Sequence, residues 1–215
     1  MLGATVGHIG SFVTIKGRNF YFNGCHLCKG HCCNGASGFA MTPLILEDFK
    51  EVYTHFPIVF SKHNDVWYLF MVLNDAKSYC RYYDAPKNQC SIYEHRPPAC
   101  RLYPLSPYFE HIFVDRQCTS VSESDGMVLT CEGRIEKEFY TQRLDNFAEK
   151  YAKTRNFIDE VTCDEEAFEY VGEIAGYLLF AYKKPSQNEF LKLHQASLHH
   201  LAHLEGCVVV VDNVG

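Results

Sequence analysis

The sequence is short of positive charge: 20 lysines and arginines stand against 26 aspartates and glutamates, for a formal net charge of −6. It has no basic run or stripe of the kind that neutralises a phosphate backbone, so no nucleic-acid partner is expected. Long apolar runs are missing too. The most apolar late stretch, 170–182, carries Glu173 and is shorter than the about 20 apolar residues a membrane helix needs. The first ten residues show no charged segment followed by an apolar core, so no secretory signal is expected and the cytoplasm is the expected compartment. There is no Gly-x-Gly-x-x-Gly, no phosphate-binding loop and no nucleophile elbow. Internal repeats and low-complexity segments are likewise missing.

What is abundant is cysteine, in a chain that does not need cross-links to fold. Hydrophobic residues make up 47% of the 215, enough to bury an ordinary core. Small secreted domains use disulfides to compensate for a deficient core, which is not the case here. The chain has 11 cysteines, and an odd number leaves at least one thiol outside any disulfide framework. A reducing compartment, an odd count and dense clustering together point to metal.

The clustering is specific. Cys25, Cys28, Cys32 and Cys33 fall within nine residues, as Cys25-x2-Cys28-x3-Cys32-Cys33. A second group follows at Cys80, Cys90, Cys100 and Cys118 and is expected to fold back onto the first. Cys28 and Cys32 are four apart, so one helical turn puts both sulfurs on one side, while the adjacent Cys32 and Cys33 diverge. Eight thiolates would fill two tetrahedral zinc sites, or one iron–sulfur cluster with four sulfurs left for zinc or for support. Arg96 and Arg101 stand beside the second group, where guanidinium groups offset thiolate charge.

Other candidates are weaker. His26 and His31 lie inside the first motif and would serve zinc, but as the sulfurs already suffice they read as loop histidines. His199 and His203 are four apart beside His200, without the glutamate of a His-Glu-x-x-His site, and read as a solvated helix face. Cys131, Cys163 and Cys207 are isolated and read as small apolar residues.

The local patterns predict an α+β fold. An irregular cysteine-rich metal-binding core with short strands occupies residues 1–130, and a helical C-terminal extension, 131–215, packs on it. A hairpin is expected over 11–22, turning at Gly17, and another over 58–73, turning at Asn64 and Asp65, with Trp67 in the core. Thr42 and Pro43 read as the start of a helix that ends before Pro57. Further helices are expected over about 132–153, over about 165–183 capped by Asp164, and from Ser186 to about Glu205. A short strand is expected over 207–211.

The motif Cys25-x2-Cys28-x3-Cys32-Cys33, followed by Cys90-Ser-Ile-Tyr-Glu-x-Arg96-Pro97-x-x-Cys100-Arg101-x-Tyr103-Pro104, resembles the bacterial cysteine-cluster family of zinc- or iron-chelating domains. The resemblance runs from about Gly24 to Cys118 and implies metal chelation by the eight cysteines, with zinc or an iron–sulfur cluster, 4Fe–4S if iron. The same pattern is similar to that of flagellin N-methylase. That likeness implies an alternative, a cluster-dependent protein lysine methyltransferase using S-adenosylmethionine, although no nucleotide-binding glycine loop is present. A third reading is a protein-interaction module stiffened by structural zinc. The partners expected are thus a metal ion or cluster and a protein partner or substrate.

Overall fold

The computed structural model describes residues 8–9, 11–25, 28, 30–36, 38–108 and 110–204. The fold is α+β, with several small antiparallel sheets and a C-terminal helix. The chain forms two compact units, each assembled from two segments: Met1–Cys32 with Tyr82–Ala148, and Cys33–Arg81 with Glu149–Gly215.

In the first unit one sheet runs in the order His8–Ile9, Phe12–Thr14, His111–Asp115, Leu105–Tyr108. A second runs Val121–Ser122, Phe20–Phe22, Met127–Cys131, Arg134–Ile135. Alternation along Phe20–Phe22 buries both phenylalanines and leaves Tyr21 half-exposed, the period-2 pattern of a strand with one covered face. Val13, Ile15, Phe20, Leu105, Val114 and Leu129 form the core, and Cys118 is part of it.

The hairpin expected over 11–22 does not form, although its turn does: the Arg18 N–H donates to Ile15 O at 3.0 Å, with Gly17 at φ +69°. Beyond the turn the two strands enter different sheets. Thr14 pairs with Phe113, whereas Phe20 pairs with Thr130 and donates its N–H to the Thr130 hydroxyl at 3.1 Å. Partners distant in sequence win because they bury both phenylalanines, which a two-stranded hairpin could not.

The helix expected over 132–153 begins later. Glu132 and Gly133, at φ +50° and +82°, make a tight turn between Cys131 and Arg134. Two single turns follow, Lys137–Phe139 and Gln142–Leu144, and the α-helix is Phe147–Thr162.

In the second unit a five-stranded sheet runs Phe168–Ile174, Tyr177–Tyr182, Ile58–His63, Val66–Val72, Met41–Pro43. The Ile58–Val72 hairpin is as expected, with Asn64 and Asp65 at φ +50° and +59° and Trp67 buried. Pro43 lies on an edge strand, where its missing N–H costs no ladder bond, rather than at a helix start. Helical structure begins instead at Leu46–Asp48, where the Asp48 carboxylate accepts the Ile45 N–H at 3.1 Å, and the α-helix is only Phe49–Val52.

The helix expected over 165–183 is a hairpin. Ala175 and Gly176, at φ +52° and +81°, form a two-residue turn between Ile174 and Tyr177. The aromatic and β-branched residues of this stretch pack flat: Phe168 and Phe180 each lie 5.0 Å from the Trp67 ring. The next helix, Glu189–Ser197, is capped by Asn188, which accepts the N–H groups of Phe190 and Leu191, and not by Ser186. A 3-10 turn, Leu198–His203, continues it. The strand expected over 207–211 lies outside the described residues.

Candidate metal centre

Six of the eight predicted ligands belong to the first unit: Cys25, Cys28, Cys32, Cys90, Cys100 and Cys118. The Cys28 N–H donates to Cys25 O at 3.1 Å. Cys28 is 6% exposed, and its sulfur accepts the His31 N–H at 3.4 Å. Gly30 N–H and the Thr119 side chain also bond to it. Backbone N–H groups aimed at a sulfur stabilise its anion, the arrangement common around metal thiolates.

The loop that aims these groups is held by Gly30, at φ +68°, where an added Cβ would lie 2.4 Å from Tyr83 Cε2. The Tyr83 hydroxyl donates to Asn88 Oδ1, and Asn88 Nδ2 donates to Cys28 O at 2.8 Å. Glycine is thus required by conformation and by space.

Cys118 arrives from the other end of the cysteine region. It is 3% exposed, part of the core, and its thiol bonds to Cys28. The pair shares one proton. The Cys118 bond, above all, holds Cys28 down to about 5, and the same bond with burial pushes Cys118 up. Tyr103 stands over Cys118 and donates to Asp115 Oδ2 at 2.8 Å; burial first, then the charges of Cys118 and Asp115, keep its phenol protonated.

Arg96 bears out the expectation of a cation beside sulfur. Its Nη1 lies 3.9 Å from Cys25 Sγ, and its guanidinium stacks on Tyr93 at 3.7 Å. Arg101 braces it by donating to Arg96 O at 2.7 Å. Cys90 closes a two-stranded ladder opposite Tyr83, and Cys100 sits in the helix Pro98–Leu102, which begins directly after Pro97. Cys32 and Cys33 occupy the single turn His31–Cys33.

Cys33 and Cys80 belong to the second unit. The Cys80 N–H donates to Cys33 O at 2.7 Å, and Asn34 bridges Tyr79 next to them. The structure thus joins Cys28 to Cys118 through sulfur and Cys33 to Cys80 through backbone. Among the described residues no three His, Cys, Asp or Glu side chains form a ready metal-holding group. The donor chemistry nevertheless fits a thiophilic cation. All ten described cysteines carry thiols with no disulfide, and Cys28 is poised as a thiolate, the form a metal requires.

His200 is buried and not on a solvated face: its Nε2–H donates to Tyr53 O at 3.1 Å, and Nδ1 accepts from Arg81. His199 Nδ1 bonds to Ala196 O at 2.7 Å. Cys131 and Cys163 are exposed rather than apolar core residues, and Cys207 and His26 lie outside the described residues. Sequence reading gave no role to Gly30, Asn88, Tyr103 and Thr119, which hold or face the sulfurs; Gly30 and Tyr103, inside the two motifs, were the visible signals. Among the described residues no helix is long and apolar enough to cross a membrane.

Comparison with known proteins agrees with this donor set. Residues 24–132, half of the chain, match the profile of a family described as "Putative zinc- or iron-chelating domain". Neither the curated proteins nor the solved structures contain a match. The chain belongs to the CxxCxxCC family.

Proposed function

We propose that this protein binds zinc or an iron–sulfur cluster in the cytoplasm, with Cys25, Cys28, Cys32, Cys33, Cys80, Cys90, Cys100 and Cys118 as its ligands. The observation that carries the reading is the buried Cys28 sulfur. It receives N–H donors from Gly30 and His31 and is held far below the ordinary thiol range. A buried anion needs a compensating cation, and the Arg96 guanidinium bonds to Cys25 Sγ. A metal ion supplies that charge.

The test is elemental analysis of protein purified without oxygen. Brown protein with iron and acid-labile sulfide identifies a cluster. Colourless protein with about two zinc ions per chain identifies two tetrahedral sites. Cys28→Ser and Cys100→Ser are expected to lose metal and to unfold more easily, because binding and folding are coupled. Protein that binds neither metal under these conditions would defeat the reading. Undiminished metal in both variants would defeat the ligand assignment.

A further inference from the structure

We propose that His31 supplies an imidazole ligand, through Nε2, to the metal bound by the neighbouring cysteines. The proposal rests on the chelation reading above and puts a nitrogen donor in the place of one of its eight thiolates. His31 Nε2 is buried and has no hydrogen-bond partner among the described residues. Two other buried side-chain atoms share that condition, but both are hydroxyl oxygens, Ser61 Oγ and Thr141 Oγ1. An imidazole is different: its nitrogens are fixed in a rigid ring, and an unpartnered one loses its hydration with nothing in return.

The surroundings say what the missing partner is. The His31 N–H donates to Cys28 Sγ at 3.4 Å, so the residue is tied to a proposed ligand thiolate through its own backbone. It opens the single turn His31–Cys33, directly before Cys32. The preceding Gly30, at φ +68° and closed in by Tyr83, fixes the direction in which the chain enters that turn. A neutral imidazole nitrogen is an established ligand of zinc and of iron–sulfur iron, and it mixes freely with thiolates in both. Charge favours it as well. Four thiolates around a divalent ion leave a net double negative charge, and replacing one by imidazole halves that in a chain whose formal charge is already −6.

The test uses the full-length chain, stripped with a chelator, reduced without oxygen and reloaded with Zn²⁺ alone. X-ray absorption at the zinc edge reads sulfur and imidazole separately, because the rigid ring has its own outer-shell scattering. The wild-type protein is expected to show sulfur plus imidazole. His31→Ala is expected to lose the imidazole signature, keep the sulfur, and bind Zn²⁺ at least about tenfold more weakly. His31→Cys keeps a ligand at the position and is expected to replace the imidazole with one more sulfur and to bind within about tenfold of wild type. A sulfur-only shell in the wild-type protein, or an imidazole signature that persists in His31→Ala, would overturn the assignment of His31 while leaving chelation standing. A wild-type chain that takes up no Zn²⁺ through sulfur would overturn the assignment of His31, and chelation with it where the protein purified without oxygen also holds no iron.

Discussion

The thiol of Cys118 bonds to the sulfur of Cys28, and one proton serves the two. Cys28 in the metal-free folded protein should therefore titrate near 5 rather than at the ordinary 9.0. The folded value lies below the unfolded one, so the contribution of Cys28 to stability is complete above 9.0 and disappears as pH falls toward 5. Cys118 acts in the opposite sense: its raised value withdraws stability once an unfolded thiol would ionise, so the pair stabilises most near 9. Thiolate absorbance in the ultraviolet measures this directly. Cys118→Ala should move the low titration upward; a titration unchanged in that variant would mean the bond does not set it.

Arg96 meets Cys25 Sγ at 3.9 Å while stacking on Tyr93. Arg96→Ala is expected to weaken metal binding by about tenfold, the usual effect of losing an outer hydrogen-bonding group. Arg96→Lys should not restore it, because an ammonium lacks the planar face that stacks on the ring. Competition with a coloured chelator gives the affinities. Equal affinity in all three proteins would remove Arg96 from the site.

Gly30 is required twice, by its positive φ and by the Tyr83 ring against it. Gly30→Ala should cost about 1–3 kcal/mol from backbone strain and from displacement of Tyr83. Adding Tyr83→Leu should recover the steric part only. Urea unfolding of metal-loaded protein separates the two; a Gly30→Ala variant as stable as wild type would contradict the described loop.

In the second unit His194 is wholly buried. Its Nδ1–H donates to Ile58 O at 2.8 Å, and its Nε2 accepts the Tyr182 N–H at 2.8 Å. Acceptance by Nε2 needs the neutral ring, and burial lowers its pKa to about 4 from 6.5. The unfolded chain takes up that proton first, so stability should fall as pH drops from 6.5 toward 4. His200, also lowered to about 4, adds in the same direction. His194→Gln should flatten this part of the profile and destabilise the protein at neutral pH by about 1–3 kcal/mol. An unfolding midpoint independent of pH across that range would refute the neutral assignment.

Elements specified by neighbouring residues were readable along the chain. The Ile58–Val72 hairpin follows from Asn64 and Asp65, residues that tolerate a positive φ, between two apolar runs. The hairpin at 168–182 was misread because Ala175 is not a turn residue by habit, and the apolar positions around it suit a helix as well as a strand. The expected hairpin at 11–22 failed for another reason. Phe20 and Thr14 find their partners at Thr130 and Phe113, and local pattern carries no information about pairings at that distance.

Ligand chemistry was legible for the same reason as the good hairpin: it resides in side-chain type and short spacing. Eleven cysteines, four of them in nine residues, already point to thiophilic binding and leave at least one thiol outside any disulfide framework, whatever the fold. Which sulfurs meet is another matter. That Cys28 reaches Cys118, that Arg96 reaches Cys25, and that the chain passes twice through the first compact unit follow from the burial of Val13, Phe20, Val114 and Leu129 in one core. Burial rewards side chains from anywhere in the chain that close a surface to water, so convergence of distant residues is a property of the packed whole.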